Sequence, residues 1–127
     1  MLRPEQQLQI LVVQYLELIE KTTPGFLFFH TPNGGGRSKV EGGILKAMGV
    51  KSGVLDIQIL FNGQPYFIEM KKPRVMLPSG KMSKSEEKPS DSQEAFMEKL
   101  DKQGIPWAVC RSLEDVQDAL RRWKMIR

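Results

Sequence analysis

Val54-Leu55-Asp56-Ile57-Gln58-Ile59-Leu60-Phe61-Asn62-Gly63-Gln64-Pro65-Tyr66-Phe67-Ile68-Glu69-Met70-Lys71-Lys72 is the stretch on which the fold turns. Two apolar, β-rich runs flank Asn62-Gly63. Asn-Gly between such runs marks a two-residue type I′ hairpin turn, which needs positive φ at both central positions. Phe61 then faces Gln64. The same distance outward on each strand, Asp56 faces Glu69. Lys71, two residues beyond Glu69, shares its face. If Phe61 and Gln64 exchange hydrogen bonds, Leu60/Pro65 does not, and Pro65 loses no ladder bond. Asp56/Glu69 also falls in the non-hydrogen-bonded class, with facing Cα atoms roughly 4.5 Å apart. Like charges directly opposite each other destabilise a sheet. Three resolutions are open: one carboxylate points to solvent, Lys71 neutralises the pair, or a divalent cation sits between them. Mg²⁺ takes carboxylate oxygens and keeps several waters, which suits two acids.

The chain has 127 residues, 40% hydrophobic and 27% charged, which suits one soluble domain spanning residues 1–127. No run approaches the roughly 20 apolar residues of a membrane span. The N-terminus, Met1 to Gln7, is too polar for a signal peptide. A lone cysteine, Cys110, excludes an intrachain disulfide and a Cys-rich zinc site, and a cytoplasmic setting is expected. Net charge is +4 and the pI near 9.3, which suits a polyanionic partner.

Outward from the hairpin, Glu5 to Lys21 reads as a helix, with Leu8, Leu11, Val12, Tyr15, Leu16 and Ile19 on one face. Pro4 fits its first turn, and Pro24-Gly25 ends it. Phe26 to His30 is a short strand. Residues 31–37, Thr-Pro-Asn-Gly-Gly-Gly-Arg, form a loop by composition. Lys39 to Met48 reads as a short helix with Ile44, Leu45 and Met48 inward and Gly49 as its stop. The hairpin strands span Val54 to Phe61 and Pro65 to Lys72. Pro73 to Pro89 has no apolar period, and a connection that long is usually functional or disordered. Ser90 or Asp91 caps a helix to about Gln103, Pro106 to Cys110 is a strand, and Ser112 caps a final helix to about Trp123. Helices interleaved with strands imply a mixed sheet covered on both faces.

Asp56, twelve intervening residues, then Glu69-Met70-Lys71 resembles the D…(D/E)xK core of restriction-endonuclease-like PD-(D/E)XK nucleases. With the segments His30–Arg37, Gly49–Asp56 and Phe67–Lys71, and Ser92-Gln93 in the later helix, most of the chain resembles a VRR-NUC domain of the small stand-alone type of bacteria and phages. The resemblance implies an α/β fold, a mixed sheet flanked by helices on both faces. It implies Mg²⁺- or Mn²⁺-dependent cleavage of DNA, often branched DNA such as Holliday junctions, by a homodimer in a bacterial or phage-infected cell. By the same resemblance Asp56 and Glu69 bind metal, the Met70 carbonyl and Glu5 complete the metal site, Lys71 is the active-site lysine and Gln93 supports the site. Glu17 and Glu20 on the same helix are alternatives to Glu5. Two departures stand out: Leu55 where many relatives have proline, and a longer Pro73–Pro89 segment.

Asn33 and Arg37 offer backbone amides and a guanidinium to a phosphate, and Lys51 and Lys72 are further DNA-binding candidates. His30 fits a core or DNA-facing role better than that of general base. Trp107 and Trp123 read as packing residues. Lys81-Met-Ser-Lys-Ser85 spells a synthetase signature, but the chain is too short for that domain and lacks its partner histidine motif. Gly80-Lys81 is no P-loop, because Met82 replaces the Ser/Thr that would hold Mg²⁺. Two other readings remain: a nicking or single-strand nuclease of the same fold, and a catalytically silent DNA-binding module. Apolar Val75-Met76-Leu77 and the last helix are the candidates for a dimer interface.

Overall fold

The computed structural model describes residues 1–32, 38–73, 78–81 and 87–127. Asn33, Arg37 and the Val75-Met76-Leu77 run lie outside the described residues, as does most of Lys81–Ser85. In chain order the elements are α1 (Pro4–Thr22), β1 (Phe26–His30), α2 (Lys39–Ala47), β2 (Ile57–Phe61), β3 (Gln64–Met70), α3 (Asp91–Lys102), β4 (Trp107–Cys110) and α4 (Leu113–Arg122). The strands form one sheet in the order β1-β2-β3-β4. The first two pairings are antiparallel and β3-β4 is parallel, so the crossover that carries α3 joins β3 to its neighbour.

Asn62 and Gly63 both have positive φ, 50° and 82°, as a type I′ turn requires. The turn sets the register expected from the sequence: Phe61 faces Gln64, Leu60 faces Pro65, and the ladder runs to Ile57/Ile68. β2 is shorter than expected. It begins at Ile57: the Thr31 amide still donates to the Asp56 carbonyl at 2.8 Å, in register with β1, but the Asp56 amide donates to a side chain, Glu69 Oε1, instead of to a ladder carbonyl. β3 ends at Met70, though the Lys71 amide still donates to the Cys110 carbonyl at 3.0 Å.

The sheet is covered on both faces, as β3 records in one sequence: Phe67, Ile68, Glu69 and Met70 are all buried. On one face Val12 and Leu16 of α1, and Val116 and Leu120 of α4, pack on Ile57, Ile59, Ile68 and Met70. On the other, Met97 and Leu100 of α3 pack on Phe67 and Leu55. Each such side chain, once fully buried, contributes about 1.5–3 kcal/mol.

Two expectations of burial fail. Leu11 is exposed, because α1 turns only Val12 and Leu16, with Leu8, Tyr15 and Ile19, toward the core. α2 buries no residue, and Ile44 and Met48 stand 56% and 76% exposed. The period of α2 is right, but the helix lies at the margin, where its apolar stripe meets no core. The apolar side of α4 is engaged in the molecule's own core, which leaves that helix a polar outer face. Trp123 packs on Tyr66 with ring centroids 5.0 Å apart, and the Trp107 indole donates to Asp101 at 2.8 Å. At the free edge of the sheet, Leu27 and Phe29 of β1 point outward and are exposed. The Phe28 amide on that edge donates to Glu20 Oε2 at 3.1 Å. Among the described residues no helix is long and apolar enough to cross a membrane.

Candidate active site

At the end of the sheet, where β2 begins and β3 finishes, the register makes Asp56 and Glu69 the next facing pair after Ile57/Ile68. They meet by exchanging bonds with each other's backbone. The Asp56 amide donates to Glu69 Oε1 at 3.0 Å, and the Met70 amide donates to Asp56 Oδ2 at 2.9 Å. Each carboxylate therefore replaces a ladder partner that the departing strand no longer supplies. A third contact comes from α3, where Gln93 Nε2 donates to Glu69 Oε2 at 2.7 Å.

α3 reaches the pair through its N-terminus. Ser90 caps it, accepting from the Gln93 amide at 3.2 Å, while Gln93 Oε1 accepts from the Ser90 amide at 2.9 Å. This capping box leaves the side-chain nitrogen, Gln93 Nε2, for Glu69. The helix end can come this close because residue 53 is glycine. Gly53 has φ +81°, and a Cβ there would run into the Ser92 carbonyl.

Lys71 Nζ lies 3.4 Å from Glu69 Oε2, and both side chains are almost fully buried. On its other side the same ammonium stands 3.8 Å from Glu87. Glu87 also accepts from the Lys72 amide at 3.3 Å. His30 closes the edge of the site. Its Nδ1 is 2.8 Å from the Asp56 carbonyl and 3.1 Å from Gln9 Nε2.

The electrostatics follow from burial. Burial and then the Asp56 charge push the Glu69 carboxyl up to about 7, although the Asp56 amide and Lys71 work against them. The Asp56 carboxyl is also raised, chiefly by burial, against the Met70 amide and the charges of His30 and Lys71. Two acids on a shared site resist ionising together.

The pair opens on a cleft of about 530 Å³. Glu5, Met70, Lys71, Lys72 and Glu87 share its walls. Of the three helical glutamates weighed for this site, only Glu5 lines the cleft. Glu20 is engaged at the β1 edge, and Glu17 is exposed elsewhere. Glu5 itself pairs with Arg3 at 3.6 Å. Among the described residues no three His, Cys, Asp or Glu side chains converge into a ready-made metal cage. Two facing carboxylates whose ionisation burial opposes still form a donor set suited to a hard cation that keeps part of its water shell. Lys51 lies away from the acids, in a separate groove between α2 and α3. Sequence reasoning missed Glu87, which sits in a link with no periodicity to mark it, and the bond from His30 to the Asp56 backbone. The strand pairing that sets His30 beside Ile57 links segments far apart in sequence, with no turn to announce it.

No family profile matches the sequence, and no curated protein matches it. A solved structure of a VRR_NUC domain protein does resemble it in fold. The likeness has a TM-score of 0.66 at 18% identity, and it covers 97% of this chain and 89% of the other. The VRR-NUC fold, an α/β restriction-endonuclease-like mixed sheet with flanking helices, is thus the architecture of this chain.

Proposed function

We propose that this protein is a divalent-metal-dependent DNA endonuclease that hydrolyses phosphodiester bonds at Asp56, Glu69 and Lys71. Branched DNA, including Holliday junctions, is the proposed substrate, a homodimer the working unit, and the cytoplasm of a bacterial or phage-infected cell the setting. The observation that carries this reading is the buried acid pair bonded reciprocally across two strands, with Lys71 3.4 Å from Glu69. The fold likeness to a VRR_NUC domain protein supports a nuclease-type activity. The net charge of +4 suits a polyanionic substrate.

Asp56 and Glu69 would hold Mg²⁺ or Mn²⁺, with the Met70 carbonyl and Glu5 on the cleft wall as further oxygen donors. When bound, the ion supplies Lewis acidity toward the phosphodiester and its attacking water. The rest falls to side chains. Gln93 fixes the rotamer of Glu69, and the Met70 amide fixes that of Asp56. Lys71, buried 3.4 Å from Glu69, would orient the nucleophile and stabilise charge that develops during attack. Glu87 holds Lys71 from the solvent side. Lys72 and Arg3 line the cleft wall and would meet the DNA backbone there.

The test compares a labelled four-way junction, a linear duplex and a single strand, each with Mg²⁺. The junction is expected to be cut fastest. Asp56→Asn and Lys71→Ala should each lower the rate on the order of 100-fold or more while circular dichroism stays unchanged. Wild-type turnover by Lys71→Ala, or no cleavage of any substrate with Mg²⁺ or Mn²⁺, would end the assignment.

A further inference from the structure

A second concavity is separate from the cleft of the acid pair and shares no described lining residue with it. It is a groove of about 780 Å³ between α2 and α3, within the range of about 300–1,000 Å³ typical of ligand pockets. Its chemistry is divided. Leu45, Val50 and Phe96 supply apolar surface, and Lys46, Lys51 and Lys99 stand around them. Among the described residues the lining holds no acidic one. All three lysines are exposed, and none forms an ion pair with a described residue. Three ammonium groups around one groove, without an ion-pair partner among the described residues, repel each other. An anionic ligand relieves that repulsion.

The apolar surface narrows the class. Duplex DNA offers its phosphates outward and keeps its bases stacked inside, so it has no use for an apolar floor. An unpaired strand presents both, phosphates along the backbone and base faces that stack on aromatic side chains. Phe96 is half-buried and held edge-on to Phe67, with ring centroids 5.5 Å apart, so its place in the groove is fixed.

The position of the groove matters as much as its chemistry. Ser92 lines it, and the next residue, Gln93, holds Glu69. The groove and the acid pair thus touch neighbouring residues of α3.

We infer that the α2–α3 groove binds an unpaired stretch of nucleic acid, with phosphates on Lys46, Lys51 and Lys99 and a base against Phe96. The inference rests on the nuclease reading and extends it: the substrate would be DNA that carries single-stranded nucleotides beside the scissile bond.

The experiment is fluorescence anisotropy on the full chain with a chelator present, so that binding is read apart from cleavage. The probes are a labelled oligothymidine and a blunt duplex of equal length. The triple variant Lys46→Gln, Lys51→Gln, Lys99→Gln should weaken oligothymidine binding on the order of tenfold. It should also make the log–log salt slope shallower by about 2, because each single-strand phosphate contact accounts for about 0.7. Blunt-duplex affinity should change far less. Phe96→Leu keeps apolar volume but removes the ring face, and it should weaken oligothymidine binding several-fold at an unchanged salt slope. Should Phe96→Leu prove unstable, the lysine variant still decides, since its three positions are exposed. Unchanged oligothymidine binding in the lysine variant overturns the inference. So does an equal loss on the blunt duplex, which would make the groove a duplex-backbone surface, and so does a change in sedimentation with no change in DNA binding. If wild type cuts junctions while the variant binds oligothymidine normally, the groove assignment alone fails. If no substrate is cut but the variant effect appears, the groove stands and the nuclease reading fails.

Discussion

Asp56 and Glu69 are structural before they are chemical, since each bonds the backbone that carries the other. Removing either side chain leaves a backbone amide without its acceptor, so alanine is a poor probe of chemistry here and the amide isosteres are better. The raised carboxyl of Glu69 gives a pH signature. Its value is 4.5 in an unfolded chain and about 7 in the fold. Between those values the folded protein binds more protons than the unfolded one, so stability falls as pH rises through that window. Asp56 is raised as well and acts with the same sign. In a chelator, the melting temperature of wild type should therefore decline from pH 4.5 to 7 more steeply than that of Glu69→Gln. Added Mg²⁺ should restore it at pH 8 in wild type but not in Asp56→Asn. Parallel pH profiles for wild type and Glu69→Gln would refute the coupling. Asp56, Glu69 and Lys71 were legible because one turn dipeptide fixes their register, whereas Gln93 was named through the family resemblance alone, since a helix cap does not tell which acid the side chain behind it reaches. Glu87 was not, because neither periodicity nor a turn ties a residue in that polar link to the sheet.

α3 does two jobs, covering Phe67 with Met97 and Leu100 and delivering Gln93 to Glu69. Its cap therefore belongs to the site, whereas the cap of α4 does not. Ser90→Ala and Ser112→Ala should each lower stability by about 1 kcal/mol in urea unfolding. Only Ser90→Ala should also slow cleavage, since Gln93 and Ser90 hold each other in one capping box. Equal activity in both variants would separate the cap from the site. At this scale the sequence conveyed the order of elements and most of their ends. It did not convey where β2 starts, because hydrophobic alternation cannot reveal that Asp56 trades a ladder bond for side-chain bonds. Nor did it convey the exposure of α2. A nine-residue helix has a face by periodicity alone, and which neighbour meets that face is decided by long-range packing.

Taken whole, the molecule puts its buried acid pair at one end of the sheet and leaves α2 at the margin. Ile44→Ser on that helix should change urea stability by less than about 0.5 kcal/mol, as for a surface site; a loss of 2 kcal/mol or more would mean the helix is packed after all. Helices on both faces of the sheet were readable from the alternation of elements, whereas the parallel closure of β4 on β3 was not, since the order of strands within a sheet depends on contacts between distant segments. One acid away from the Asp56–Glu69 pair bears on how the protein behaves in concentrated solution. β1 reads Phe-Leu-Phe-Phe-His, with no lysine or proline to discourage another strand from docking beside it. Glu20 occupies the Phe28 amide on that border and sets a carboxylate where a second chain would have to hydrogen-bond. Glu20→Ala should therefore lower the concentration at which light scattering reports fibrous precipitate, leaving junction cleavage intact. An unchanged onset would deny this glutamate any part as a gatekeeper against intermolecular β-pairing.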